Sequence, residues 1–195
     1  MNMQANKPLI PKHTSTSSHI ALAAVLLAVL ALAVLAGSAL AANLVKNGSF
    51  EKDSDGDGIP NGWSTNALSA ADKQVCNQSY AGDCSFKMAG PGSSKRIWQT
   101  ISSSGGAGDT YTFTIWLKTK DVVQGGGTTE LFLEIHQVDG GGDLETLAIA
   151  GGTAGWQKFT LELTSSELYD SVKVRVDFFP DSGKAWFDKV KLVGP

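Results

Sequence analysis

Three aspartates at alternate positions, Asp53, Asp55 and Asp57, stand directly ahead of Gly58 in the segment NGSFEKDSDGDGIPNGWS, residues 47–64. Carboxylates on alternate residues can converge on a hard cation while the glycine permits a sharp turn, so the spacing points to calcium, with Asn61 as a further oxygen donor. The twelve-residue calcium loop that closes on a bidentate glutamate is excluded, because its twelfth position here is Ser64. A solvated acidic turn is the competing reading, and the spacing leaves both open.

A second set of chemistry-bearing residues sits on the polar registers of alternating segments. Sugar rings stack on exposed aromatics while polar neighbours meet their hydroxyls. Trp116 is the expected stacking platform, with Trp98 as a second. Arg175, Glu134, Asp177 and His136 become hydroxyl partners if their strands share one sheet. Catalytic chemistry has weaker support. His136 is the only histidine after residue 41, and the chain lacks the Gly-x-Ser-x-Gly elbow of a serine hydrolase. A His-rich metal set is also missing. Glu130 and Glu134 share a strand face but stand about 13 Å apart at ~3.3 Å per residue. That is beyond the roughly 5–9.5 Å a glycosidase pair requires.

The elements that must position these residues follow from a period of two. In TYTFTIWLKTK, Tyr111, Phe113, Ile115 and Leu117 face one way, and Thr112, Thr114, Trp116 and Lys118 the other. ELFLEIHQV splits Leu131, Leu133 and Ile135 from Phe132, Glu134 and His136. SVKVRVDFF splits Val172, Val174, Val176 and Phe178 from Lys173, Arg175, Asp177 and Phe179. Ile97 and Ile101 turn Trp98 outward. Further strands are expected in SFKMAG, RIWQTIS, ETLAIA, WQKFTLEL and KAWFDKVKLV, joined by the glycine loops SSSGGAGD, VVQGGGTT and VDGGGD. Many short half-polar strands predict an all-β, two-sheet antiparallel sandwich.

The first 41 residues read as an export signal. Lys7 and Lys12 precede an apolar run from Ile20 to Gly37, and Ala39-Leu40-Ala41 supplies a small-x-small cleavage pattern. An uncleaved membrane anchor is the alternative, since the run approaches spanning length. Residues 42–195 then form one domain. Without the two leader lysines, the 16 basic residues of the chain become 14 against 19 acidic, a charge of about −5. With no basic cluster along the sequence, nucleic acid is not an expected partner, and a membrane is one only if the anchor is retained. Cys76 and Cys84 flank a turn in VCNQSYAGDCSFKM, which in an oxidising compartment reads as a disulfide across a hairpin, contributing ~2–3 kcal/mol.

Several segments taken together resemble the carbohydrate-binding modules of families four, nine and twenty-two: NLVKNGSFE, GIPNGW, SYAGDCSFKM, WQTI, GDTYTFTIWLKTKDV, GWQKFTLEL and GKAWFDKVKLV. The resemblance runs from about Asn43 to Val193. It implies a galactose-binding-like jelly roll that binds β-glucan or xylan along a concave sheet. It also implies a structural calcium held by Glu51 and Asp188 with backbone carbonyls. By the same resemblance Trp63, Trp156 and Trp186 are structural. Such modules usually accompany a catalytic domain, and none is expected within residues 42–195. The expected protein is a secreted or cell-surface, monomeric, non-catalytic module for polysaccharide. An adhesive β-sandwich contacting protein or matrix is the alternative, and a glycoside hydrolase or its accessory domain a minor one.

Overall fold

The computed structural model describes residues 42–90 and 94–195. The expected export signal, residues 1–41, lies outside the described residues. Ten strands follow in chain order: β1 (Ser64–Asn66), β2 (Lys73–Val75), β3 (Ser85–Ala89), β4 (Lys95–Gly105), β5 (Thr110–Val123), β6 (Thr129–Gln137), β7 (Gly142–Ile149), β8 (Gly152–Thr164), β9 (Tyr169–Phe178) and β10 (Ser182–Val193). They form two five-stranded antiparallel sheets. The first has the order β1-β4-β9-β6-β7 and the second β2-β3-β10-β5-β8. Consecutive strands therefore cross repeatedly between sheets, as in a jelly-roll sandwich.

The core is the sum of the inward registers. Leu131, Leu133 and Ile135 of β6, Val172, Val174 and Val176 of β9 and Ile97 of β4 meet Phe113, Ile115 and Leu117 of β5 and Phe86, Ala185 and Phe187 of the second sheet. Each alternation read from the sequence is realised, because a register slip of one residue would turn this whole apolar set to water. Trp63 is buried against Phe50 with ring centroids 5.0 Å apart, and its indole N–H donates to the Asn47 carbonyl.

Three fasteners close the ends and edges of the sandwich. The N-terminal segment crosses one end of the sandwich, where the Val190 amide donates to the Gly48 carbonyl at 2.7 Å. A Cβ at Gly48 would collide with the Val190 carbonyl oxygen. Near the start of β4, buried Lys95 pairs with buried Asp72, just ahead of β2, at 2.9 Å and also donates to the Ala89 carbonyl. Burial alone would raise the Asp72 pKa. Hydrogen bonds from the Ser69 and Ala89 amides and from Lys95 outweigh it and hold the group below its ordinary value. The third fastener, the Cys76–Cys84 disulfide, closes the connection between β2 and β3 within the second sheet.

Candidate functional site

Sheet order decides which outward residues meet. Across the first sheet, Trp98 of β4 lies opposite Arg175 of β9, and Arg175 opposite Phe132 of β6. A neighbouring row runs Arg96, Asp177, Glu130. On the other side a row runs Thr100, Lys173, Glu134, Leu144, and the next places Ser171 opposite His136. With strands ~4.8 Å apart, the five-stranded face is about 19 Å wide. Trp98, Arg175, Glu134, Asp177 and His136 thus share one face, the condition on strand order that the sequence left open.

Arg175 is its hub. Its guanidinium lies 3.8 Å from the Phe132 ring centroid, which explains how an outward phenylalanine is nearly buried. One side of Arg175 pairs with Glu134 at 2.8 Å and the other with Asp177 at 3.1 Å. Glu134 also takes Lys173 at 3.3 Å and faces His136 Nε2 at 3.6 Å, while Asp177 takes Arg96 at 3.0 Å. Arg96, Lys173 and Arg175 are thereby paired with Glu134 and Asp177, while Glu130, opposite Asp177, makes no side-chain ion pair among the described residues. Burial raises the Asp177 pKa, and its two arginines oppose that rise. Glu134 Oε1, Arg175 Nε and Asp177 Oδ1 are buried ion-pair atoms without an aligned hydrogen bond, so the network is not saturated.

Two hollows open on either side of Arg175. One, of about 220 Å³, is lined by Thr65, Asn66, Arg96, Trp98 and Lys173. The other, of about 290 Å³, is lined by Glu134, His136, Asp143 and Leu144. Arg175 contributes to both. Arg96 and Lys173 were not singled out in the sequence. The available signal was register: Arg96 shares a face with Trp98, and Lys173 with Arg175.

Trp116 does not belong to this face. It lies on β5 in the second sheet, so the single platform expected from registers alone is divided between opposite sides of the sandwich. Its outward face is covered by the disulfide loop. Tyr80 stacks on the indole at a centroid distance of 3.6 Å, with Trp156 edge-on to Tyr80 at 6.0 Å.

The residues that hold this loop down are Glu51 and Asp188. Asp188 pairs with Trp116 across the ladder, directly before a bulge where Lys189 takes a left-handed φ of 49°. Fully buried, it accepts the Tyr80 and Ala81 amides at 2.7 and 2.9 Å and the Lys189 amide at 2.6 Å. Glu51 accepts the Asp83 and Cys84 amides at 3.1 and 3.2 Å. Burial raises the Asp188 pKa, the three amides oppose the rise, and the Glu51 charge adds to it. Two acids therefore converge beneath the loop, and among the described residues neither has a basic side-chain partner. That charge demand fits a cation.

Asp53, Asp55 and Asp57 bring carboxylate oxygens within 4.8 Å of one another, as their spacing anticipated. Asp53 accepts the Gly56 and Gly58 amides, and Asp57 the Ile59 amide. The side-chain oxygen of Asn61 is taken up by Ser54 instead of facing the trio.

No protein-family model and no curated protein sequence matches the chain. Its fold is nevertheless shared with solved structures that are mostly carbohydrate-binding modules. A family 16 carbohydrate-binding module superposes with TM-score 0.58 at 19% identity, covering 77% of this chain and 99% of that one. TmCBM61 in complex with β-1,4-galactotriose gives 0.55 at 18%, covering 79% and 99%. The enzymatically active domain of tailspike protein 4 from bacteriophage CBA120 gives 0.61 at 15%, covering 78% of this chain but only 21% of the tailspike chain. The likeness is one of fold: this chain shares the two-sheet β-sandwich architecture of those modules.

Proposed function

We propose that this protein is an exported, non-catalytic module that binds a neutral polysaccharide of the β-glucan or xylan type across the outer face of the first sheet. The observation that carries the reading is the half-buried Trp98, which lines an open hollow beside a network of mutually paired charges. A sugar ring stacks on the indole, and its hydroxyls, which both donate and accept, meet guanidinium and carboxylate groups already held in place. Pre-orientation matters because each exchange of a water for a hydroxyl returns little net free energy. Because the basic groups of this face are each paired with a carboxylate, it also requires no charge on its ligand. Export is supported by the disulfide, which persists in oxidising compartments.

A catalytic reading rests on one feature, Glu130 opposite Asp177 on neighbouring strands. Both Asp177 oxygens are already engaged, Oδ2 by Arg96 and Oδ1 by Arg175, which leaves neither free to approach a glycosidic bond. The test is affinity electrophoresis against β-glucan, xylan and mannan, with product analysis after long incubation. Retardation by at least one polymer without cleavage is expected. Failure to bind any of them removes the reading, and release of oligosaccharides makes the protein an enzyme.

Calcium belongs to the same proposal as a structural ion. Glu51 and Asp188 would hold it beneath the disulfide loop, and the Asp53, Asp55 and Asp57 trio would form a second site. When bound, the ion neutralises the facing carboxylates and stabilises the folded state by mass action. Melting temperature should rise with added calcium and fall with chelator. A shift that survives Asp55→Ala and disappears in Glu51→Gln assigns it to the site under the loop.

A further inference from the structure

The outer face of the second sheet gathers positive charge that the chain scatters through its sequence. Lys73 of β2, Lys87 of β3 and Lys184 of β10 surround a hollow of about 390 Å³, closed by Asn77, Gln78 and Trp186. The register sets Lys73 directly opposite Lys87, and Lys87 opposite Trp186. Lys118 of β5, opposite Trp186 on the other side, donates to Gln78 Oε1 at 2.9 Å and stands 5.7 Å from the Trp186 ring centroid. Among the described residues none of these four lysines makes a side-chain ion pair. Like charges opposed across a ladder are destabilising. The Lys87 ammonium registers that strain: burial, then the charges of Lys184 and Lys73, lower its pKa, and only Asp72 pulls the other way.

We propose that this cleft is a second binding site, specific for an anionic glycan whose carboxylate or sulfate group is held between Lys73, Lys87 and Lys184 while the Asn77 and Gln78 amides take ring hydroxyls. The charge pattern selects a localised anion over an extended one. Duplex DNA carries one negative charge per ~1.7 Å of axis and calls for a long positive stripe. Here the positive charge is one concave patch on a chain whose net charge is −3. The choice of a sugar rests on the carbohydrate-binding reading; the choice of an anion does not. Asn77 and Gln78 lie inside the loop closed by Cys76 and Cys84, so the disulfide fixes one wall of the cleft.

The test is isothermal titration with trigalacturonate, its methyl ester, a sulfated disaccharide and a short DNA duplex. The proteins are the wild type, the Lys87→Gln/Lys184→Gln double variant and Trp98→Ala. Trigalacturonate, the sulfated sugar or both should bind the wild type and Trp98→Ala alike. Binding should weaken about tenfold or more in the double variant, as expected for lost charge-assisted hydrogen bonds, and should weaken with added salt. The charged sugar that binds identifies the anionic group. Neutral glycan binding should survive in the double variant, which separates this site from the first-sheet face. Absence of binding by both charged sugars at low salt overturns the proposal. So does equal binding of the methyl ester, or affinity unchanged in the double variant. Tighter binding of the duplex overturns the assignment to a sugar.

Discussion

The two outer faces of the sandwich each carry a tryptophan on a polar register, yet they are built for different purposes. On the first sheet Trp98 borders an open hollow, and the charges around it are paired with one another. On the second, Trp116 is roofed by Tyr80, and the lysines beside it have no side-chain ion partners among the described residues. Outward direction in a strand is therefore not the same as availability to a ligand. What crosses above the strand decides that, and here it is a disulfide-closed loop held down by Glu51 and Asp188.

The largest effect should come from a change that both faces share. Lys95→Ala leaves Asp72 buried without its cation and should cost about 3–5 kcal/mol, read as a lower melting temperature with both faces lost together. The same pair sets an acid limit. The folded Asp72 pKa is depressed, so its contribution is complete above the ordinary value of 3.8 and is lost as pH falls through the lower folded value. Lys95→Ala should flatten that part of the stability profile. An unchanged profile would mean that the pair is not what fastens β2 to β4.

Next come changes confined to one face. Asp188→Ala leaves three backbone amides without their acceptor and should cost about 2–3 kcal/mol. Hydrogen exchange should then rise in residues 76–84, while neutral glycan binding persists. Loss of glycan binding there would join the two faces that the fold separates. Arg175→Ala leaves Glu134 Oε1 and Asp177 Oδ1 without the guanidinium and uncovers Phe132. Neutral glycan binding should fall roughly tenfold or more, with the exchange of residues 76–84 unaltered. The smallest change in stability is expected for Trp98→Ala, within about 1 kcal/mol, because the side chain is partly exposed.

Much of this organisation was legible in the sequence wherever a local period carries the information. The alternation in TYTFTIWLKTK and SVKVRVDFF assigns each residue to the inner or outer face, since a strand has only two. Strand order is another matter. Nothing in the segment around Trp116 indicates that β5 pairs with β10 and β8, while β9, carrying Arg175, pairs with β4 and β6. Hence the polar residues whose meeting was conditional on strand order do lie on one face, and Trp116, expected as their stacking platform, does not. The lysine cleft was hidden for the same reason: Lys73, Lys87 and Lys184 come from three separate strands, and no run of basic residues announces them. The converging carboxylates of Asp53, Asp55 and Asp57 were readable because their spacing is local.

The central claim is that the first sheet binds the neutral sugar and the second does not. It is tested most directly by titrating one neutral oligosaccharide, cellohexaose or xylohexaose, into the wild type, Trp98→Ala and Trp116→Ala. Loss of one stacking aromatic should weaken binding by about tenfold in Trp98→Ala, with its melting temperature retained. Trp116→Ala should bind as the wild type does while melting earlier, because Tyr80 loses its stacking partner. Binding abolished in Trp116→Ala and preserved in Trp98→Ala would contradict the account.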